Sequence, residues 1–180
     1  GVLLIEDVLP KVALPLATAT GRAPLVLVID GMSGAVATQL GAALMDRNVW
    51  TEVTVVGLQA ATPEPSAGTA PTQSAVTRLC AAAVIPSVTQ YSRASLLRAT
   101  LGAGGQQEEK NGFTQFWQRQ GQAAELFHKR EITDDQAGGR LNPRLATALT
   151  QDGVVGVVLN DVDDALDKGA RGDSTSWEPE

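Results

Sequence analysis

The chain has 180 residues, of which 43% are hydrophobic and 19% charged, so it belongs to the globular class and is long enough for one sizeable core. Its net charge of −6 argues against a broad basic nucleic-acid surface, although a local site can still bind phosphate through metal ions. The single cysteine, Cys80, excludes an internal disulfide and a cysteine-rich zinc site, and it favours a reducing cytoplasm.

The first part of the chain predicts a buried strand between two helices. Residues 1–20 have the apolar pattern of a helix that is broken at Pro10. The continuous apolar run 25–30 predicts a parallel strand that is buried on both faces. Ser33 is suited to cap a helix over about 34–46, because its hydroxyl can accept a hydrogen bond from the first turn.

The middle of the chain is interrupted by a long irregular segment. A second strand is expected at 53–56, and the three prolines among small residues in 59–77 predict a mobile surface loop. The apolar run 80–85 predicts a third strand, and the spacing of 90–99 predicts a helix.

The last part of the chain completes an alternation of strands and helices. A short amphipathic helix runs through Phe113 and Trp117, and 126–128 has the pattern of an edge strand. A helix near 142–151 leads to the apolar run 154–159, which predicts another buried strand. This alternation predicts an α/β fold with a mostly parallel sheet flanked by helices.

The predicted parallel strands end in residues that can bind a metal or attack a phosphorus atom. Asp30 follows the first strand, Thr89 follows the strand at 80–85, and an acidic run follows the strand at 154–159. Because the carboxyl ends of parallel strands share one edge of a sheet, we expect these residues to converge. Two carboxylate groups and a hydroxyl there would form part of a metal-assisted phosphoryl or sulfuryl transfer site.

Each of the first two candidates also has an ordinary structural interpretation. Asp30 offers a hard oxygen ligand beside the small Gly31, but an aspartate also commonly starts a turn. Thr89 opens a helix, whose free amides favour a transferring phosphate, but a threonine there is also a common helix cap. Arg93, one turn further on, either clamps a phosphate or is solvated.

The acidic run contains four carboxylates between Asp161 and Asp167. Asp163 and Asp167 are four residues apart, which is the spacing that places two ligands of one ion on the same face of a helix. The alternative is an acidic first helical turn that is stabilised by the helix dipole.

Four further features are interpreted as parts of the general structure. His128, the only histidine, is expected to be structural or solvated, and Cys80 is expected in the core. The Glu108–Glu109 pair follows a glycine-rich turn and is interpreted as solvated. The surroundings of Trp117 are interpreted as a packing face.

Four stretches together resemble a known family. They are Leu-Pro-Lys-Val-Ala-Leu-Pro-Leu at 9–16, Val-Ile-Asp-Gly-Met-Ser at 28–33, Ile-Pro-Ser-Val-Thr-Gln-Tyr-Ser-Arg at 85–93 and Leu-Asn-Asp-Val-Asp-Asp-Ala-Leu at 159–166. Their order resembles the alkaline phosphatase superfamily, and within it the PglZ family of the bacteriophage exclusion (BREX type 2, or phage growth limitation) defence systems. The resemblance implies an alkaline-phosphatase-like domain and a metal-dependent phosphohydrolase or phosphodiesterase.

The resemblance also implies roles for individual residues. Asp30 matches the first metal-binding aspartate, Thr89 the nucleophile, and Asp163 the aspartate of an Asp-x-x-x-His motif. Asp167 stands where the family has that histidine. The implied cofactor is a divalent metal, zinc by family habit, with manganese or magnesium equally consistent with oxygen ligands.

The resemblance sets the remaining expectations. Residues 1–180 are expected to form one segment of the PglZ domain, its first part, without the second metal-binding half and with 1–20 as a preceding helix. The expected partners are a phosphate ester substrate and other BREX or phage growth limitation proteins in a bacterial cytoplasm, with no membrane. Two alternatives stay open, a non-catalytic assembly module and a nuclease that uses the same site.

Overall fold

The structure is a computed structural model that describes residues 2–53, 78–134 and 140–160. The predicted mobile loop at 59–77, most of the strand predicted at 53–56, and both Asp163 and Asp167 lie outside the described residues.

The described residues contain both strands and helices, largely but not strictly in the alternating order expected. In chain order they are β1 (Leu3–Leu4), α1 (Leu14–Thr20), β2 (Leu25–Ile29), α2 (Gly34–Asp46), β3 (Ala81–Ala82), α3 (Thr89–Arg98), α4 (Gln106–Arg119), β4 (Ala124–His128), β5 (Thr133–Asp134), β6 (Arg140–Leu141), α5 (Pro143–Ala148) and β7 (Val154–Leu159). No helix among these described segments is long and apolar enough to span a membrane.

Within the described residues the central sheet has three parallel strands in the order β2–β7–β4. Leu25 of β2 and Glu125 of β4 both pair with Val155 of β7, so β7 is the inner strand. The strands predicted at 25–30 and 154–159 are present, and the predicted edge strand at 126–128 begins two residues earlier than expected. The prediction that the strand at 25–30 is buried on both faces was wrong, since Leu25 and Leu27 are 52% and 51% exposed. The fold is therefore α/β with a mostly parallel sheet.

Helices cover both faces of this sheet because side chains alternate along its strands. One face packs against α1, α3 and α4, and its buried residues are Leu9, Ala17, Leu97, Phe113, Trp117, Leu126, Val154 and Val158. The other face packs against α5, with Phe127, Leu145, Ala148, Val155 and Val157. The packing face predicted around Trp117 is confirmed, since its side chain is fully buried.

A glycine allows α3 and α4 to approach closely. A Cβ atom added at Gly112 would lie 2.9 Å from Arg98 Cβ and 3.0 Å from the backbone Arg98 Cα. Atoms of these types do not approach so closely, so a larger residue at 112 would force the helices apart. Gly112 thus sets the spacing between the helices that carry the charged residues described below.

The start of the chain differs from the single broken helix predicted for 1–20. A short strand and a 3-10 turn, Ile5–Asp7, precede a π-helical turn, Leu9–Ala13, and only then does α1 begin. Pro10 lies at the start of the π-helical turn, where its missing N–H leaves the fewest hydrogen bonds unmade. The backbone stays helical through Pro10, so the break predicted there was wrong, and the extent of the regular α-helix was overestimated.

The strand predicted at 80–85 is also shorter than expected. Only Ala81–Ala82 form a strand, which pairs in parallel with β1. Ile85 is almost fully exposed just before Pro86, so the apolar run does not continue into the core. Cys80 is exposed as well, and the prediction that it lies in the core was wrong.

Candidate functional site

Asp30 lies at the carboxyl edge of the central sheet. Its backbone N–H donates to Leu159 O at 2.8 Å, which extends the pairing of β2 with β7 by one residue. Its Oδ1 accepts a hydrogen bond from Gly31 N at 3.1 Å. Gly31 has a positive φ of 73°, a conformation that a side chain would disfavour, so the glycine allows the turn that presents Asp30 at the edge.

Arg93 connects Asp30 to a second carboxylate. Its Nη1 donates to Asp30 Oδ2 at 2.8 Å, and its Nε donates to Glu109 Oε1 at 2.9 Å. The arginine side chain is only 11% exposed. The interpretation of Arg93 as solvated was therefore wrong, and the structure instead shows it paired on two sides.

Glu109 is fully buried, which corrects the expectation that the Glu108–Glu109 pair is solvated. Its Oε2 lies 2.7 Å from His128 Nε2. Burial alone would raise the pKa of Glu109, but the hydrogen bonds from His128 and Arg93 outweigh burial and hold that pKa below its usual value. Glu109 is therefore an ionised carboxylate inside the protein.

A sequence signal for this buried glutamate exists. Glu109 lies four residues before Phe113 and eight before Trp117, so all three occupy one face of α4. Phe113 and Trp117 are fully buried, and the same face carries Glu109 into the core. The polar neighbours of Glu109 in the sequence concealed this spacing.

His128 is buried at the carboxyl end of β4, so its interpretation as structural is confirmed and the solvated alternative is excluded. Its backbone N–H donates to Glu131 Oε2 at 3.1 Å, and Lys110 Nζ donates to the other oxygen of that carboxylate at 2.6 Å. Burial alone would raise the pKa of Glu131. The hydrogen bonds from Lys110 and from the His128 backbone outweigh this effect and hold that pKa below its usual value. His128 Nδ1 is buried and has no hydrogen-bond partner within the described part of the chain.

Asp30, Arg93, Glu109 and His128 form one connected row, which we call the edge relay. Its members come from the end of β2, from α3, from α4 and from the end of β4. Neighbouring strands lie about 4.8 Å apart, so the relay links two strands separated by roughly 10 Å, across the end of β7.

Thr89 lies one turn before Arg93 on the same helix. The first residue of α3 is Thr89, while the capping position belongs to Val88, which makes no side-chain capping hydrogen bond. The interpretation of Thr89 as the helix cap is therefore wrong. Residues four apart share a helix face, so Thr89 lies on the side of α3 from which Arg93 reaches Asp30.

Comparison with protein families gives the class of the molecule. The fold, with its parallel sheet and its carboxylate at the strand ends, is that of an alkaline-phosphatase-like domain, and the model of one such family matches residues 9–176. That family is described as the BREX system PglZ alkaline phosphatase-like domain, and the chain belongs to it. The resemblance read from the sequence is thereby confirmed. Searches of curated proteins and of solved structures found no match.

Asp30 is the one predicted metal ligand among the described residues, and its carboxylate is chemically compatible with a divalent ion. Asp30 supplies a hard oxygen donor at the sheet edge. Arg93 donates to Asp30 Oδ2, and a hydrogen-bond donor of this kind can orient a carboxylate that binds a metal. Among the described residues no group of three or more potential ligands surrounds a common point. The other two predicted ligands, Asp163 and Asp167, lie outside those residues.

Proposed function

We propose that this BREX defence domain is a metal-dependent phosphohydrolase with Thr89 as its nucleophile. Asp30, Asp163 and Asp167 would hold the divalent metal, which is zinc, manganese or magnesium. The observation that carries the proposal is the ion pair between Arg93 and Asp30. It joins the helix that begins at Thr89 to the strand that ends at the metal-binding aspartate.

The proposed transfer uses the Thr89 hydroxyl together with a bound metal. A bound divalent metal would lower the pKa of the attacking hydroxyl and offset charge on the phosphoryl oxygens. Thr89 Oγ1 releases its proton to solvent and forms a bond to phosphorus, while the ester P–O bond breaks and the departing alcohol takes up a proton. Water then breaks the bond between phosphorus and Thr89 Oγ1, which frees phosphate from a monoester or a phosphomonoester from a diester and restores the hydroxyl.

The start of α3 supports a phosphoryl group beside Thr89, whereas the contacts of Arg93 change the role expected for that residue. The helix has ten residues, and its free N-terminal amides and dipole favour a negatively charged group at that end. Arg93 is already paired with Asp30 and Glu109, so its contacts favour a role in positioning Asp30 over the direct phosphate clamp expected from the sequence.

The experiment is a metal-dependent assay on the full-length protein that contains this domain. A chromogenic phosphodiester and a monoester are each tested with Zn²⁺, Mn²⁺ or Mg²⁺. Thr89→Ala should lower kcat about a thousandfold or more, as loss of a nucleophile does in other enzymes. Ser87→Ala, in the exposed turn just before α3, is the matched control and should leave kcat within about twofold. Full activity in Thr89→Ala would assign the nucleophile elsewhere.

A second function, a non-catalytic module that docks other BREX proteins, is favoured by the same ion pair. Arg93 already neutralises Asp30, so the carboxylate needs no metal for charge compensation. Chelation separates the two functions, because a hydrolase loses activity and a docking module keeps its partners. A third arm with single- and double-stranded DNA distinguishes a nuclease from a phosphatase that acts on small esters.

A further inference from the structure

We propose that Glu109 is a positioning residue, which orients Arg93 and, through Arg93, Asp30 at the carboxyl edge of the sheet. His128 holds Glu109 in place from the other side. The consequence for catalysis rests on the proposed function, whereas the geometric claim can be tested without it.

The first step is the fixed position of Glu109. Its side chain is 0% exposed, and each of its two oxygens has a different partner, Arg93 Nε on Oε1 and His128 Nε2 on Oε2. Rotating the carboxylate would break both hydrogen bonds, and a side chain with no exposed surface has no contact with bulk solvent that could replace them. The buried carboxylate is therefore held in one orientation.

The second step passes this orientation to Arg93. The guanidinium group is planar and rigid, so fixing Nε by Glu109 also fixes the direction in which Nη1 points. Nη1 points at Asp30 Oδ2, and the other Asp30 oxygen accepts from Gly31 N. Both oxygens of Asp30 are thus held, one by the neighbouring backbone and one by the relay.

The third step is the gradient of exposure along the relay. The exposed fraction of the side chain rises from 0% at Glu109 and 4% at His128 to 11% at Arg93 and 18% at Asp30. The supporting carboxylate is thus sealed in the core, and the residue that it supports reaches the surface. Stability alone does not call for this arrangement, because apolar residues of similar volume often replace a buried ion pair without loss.

The experiment measures the Gly31 amide by NMR in the full-length protein, because this N–H reports on Asp30 and Glu109 does not touch it. We expect Glu109→Gln to shift the Gly31 signal and to speed its hydrogen exchange at least about fivefold. Glu108→Gln is the matched control, since it makes the same chemical change one residue earlier at an exposed position. It should leave the Gly31 signal unchanged.

A second variant keeps the proposal testable if Glu109→Gln does not fold. His128→Gln leaves Glu109 and Arg93 in place but removes the imidazole, and it should alter the Gly31 amide in the same direction by a smaller factor. Where Glu109→Gln does not fold, this variant decides the question. An unchanged Gly31 amide in a folded Glu109→Gln protein, or in a folded His128→Gln protein when the first is unfolded, overturns the proposal.

Activity supplies the final readout. Loss of an outer-shell partner typically costs about 10–100-fold in activity or metal affinity, so Glu109→Gln should lower kcat by that factor with KM within about threefold. In a protein that already carries Arg93→Lys, Glu109→Gln should lower kcat by less than about a further threefold. Glu109 acts on Asp30 through the Arg93 guanidinium, which lysine lacks. Wild-type protein that hydrolyses no phosphoester would refute the proposed function, and the Gly31 amide would still decide the positioning role.

Discussion

Arg93 Nη1 donates to Asp30 Oδ2 at 2.8 Å across 63 residues of sequence. This ion pair ties α3 to the end of β2, two elements that are distant in the chain. It also leaves Glu109 dependent on Arg93, because the glutamate is buried and a cation must lie close to keep it ionised.

Removing the cation should therefore destabilise the fold. We expect Arg93→Met to lower the free energy of unfolding by about 3–5 kcal/mol, because it leaves a carboxylate buried beside a single remaining partner. Urea denaturation followed by circular dichroism measures the change. Arg119→Met, at the exposed end of α4, should cost less than about 0.5 kcal/mol. Equal losses in the two variants would contradict the buried pairing.

Stability should fall in acid because the pKa values of Glu109 and Glu131 are lowered from an ordinary value of 4.5. A lowered pKa means that the folded state holds its proton less tightly than the unfolded state. The resulting stability is fully present above about pH 4.5 and is lost as the pH falls through the folded pKa.

Urea midpoints between pH 3 and pH 6 measure this dependence. Glu131→Gln should flatten the curve, since the variant has no group at 131 to protonate. Lys110→Gln should flatten it as well, because it removes the cation that lowers the pKa of Glu131. The same slope in all three proteins would show that Glu131 is not linked to folding.

The close approach of α3 and α4 predicts that Gly112→Ala is destabilising. Alanine normally favours a helix over glycine by about 1 kcal/mol, but here its Cβ would press on the Arg98 backbone, and overpacking typically costs about 1–3 kcal/mol. Gly41→Ala is the matched control, since its Cβ would meet only the flexible end of Arg78. Thermal unfolding should show a lower Tm for Gly112→Ala and an unchanged or higher Tm for Gly41→Ala.

Exposure of Cys80 gives a direct chemical test of the corrected assignment. A thiol-specific chromogenic reagent should modify Cys80 in the folded protein almost as fast as in the urea-unfolded protein, with rates that differ by only a few-fold. An accessible thiol needs no unfolding to react. A modification rate about a hundredfold or more lower in the folded protein would show instead that Cys80 is buried.

The sequence predicted the apolar parts of this fold better than its polar core. The runs that form β2 and β7 are continuous and apolar, and both were correctly predicted as parallel strands, although only β7 is buried along its length. Asp30 and Arg93 were both singled out from the sequence, but their contact depends on packing between elements far apart in the chain. No local pattern encodes that distance.

Glu109 was missed for a different reason. Its neighbours Gln107 and Glu108 are exposed, and a run of polar residues normally indicates a solvated helix face. Only the four-residue spacing from Phe113 places Glu109 on the buried face. A buried carboxylate is also rare without partners, and the two partners come from α3 and β4.

Three members of the edge relay are close together in the sequence and the fourth is distant, and this difference has a consequence for the kinetics of folding. Arg93, Glu109 and His128 all belong to the contiguous segment 89–128, whose loops are short and cost little entropy to close. Asp30 joins only when β2 pairs with β7, a contact between strands at opposite ends of the described chain. The three-residue part of the relay is therefore expected to form early in folding, and the capture of Asp30 late. An Asp30→Asn substitution should then speed unfolding while leaving the folding rate nearly unchanged.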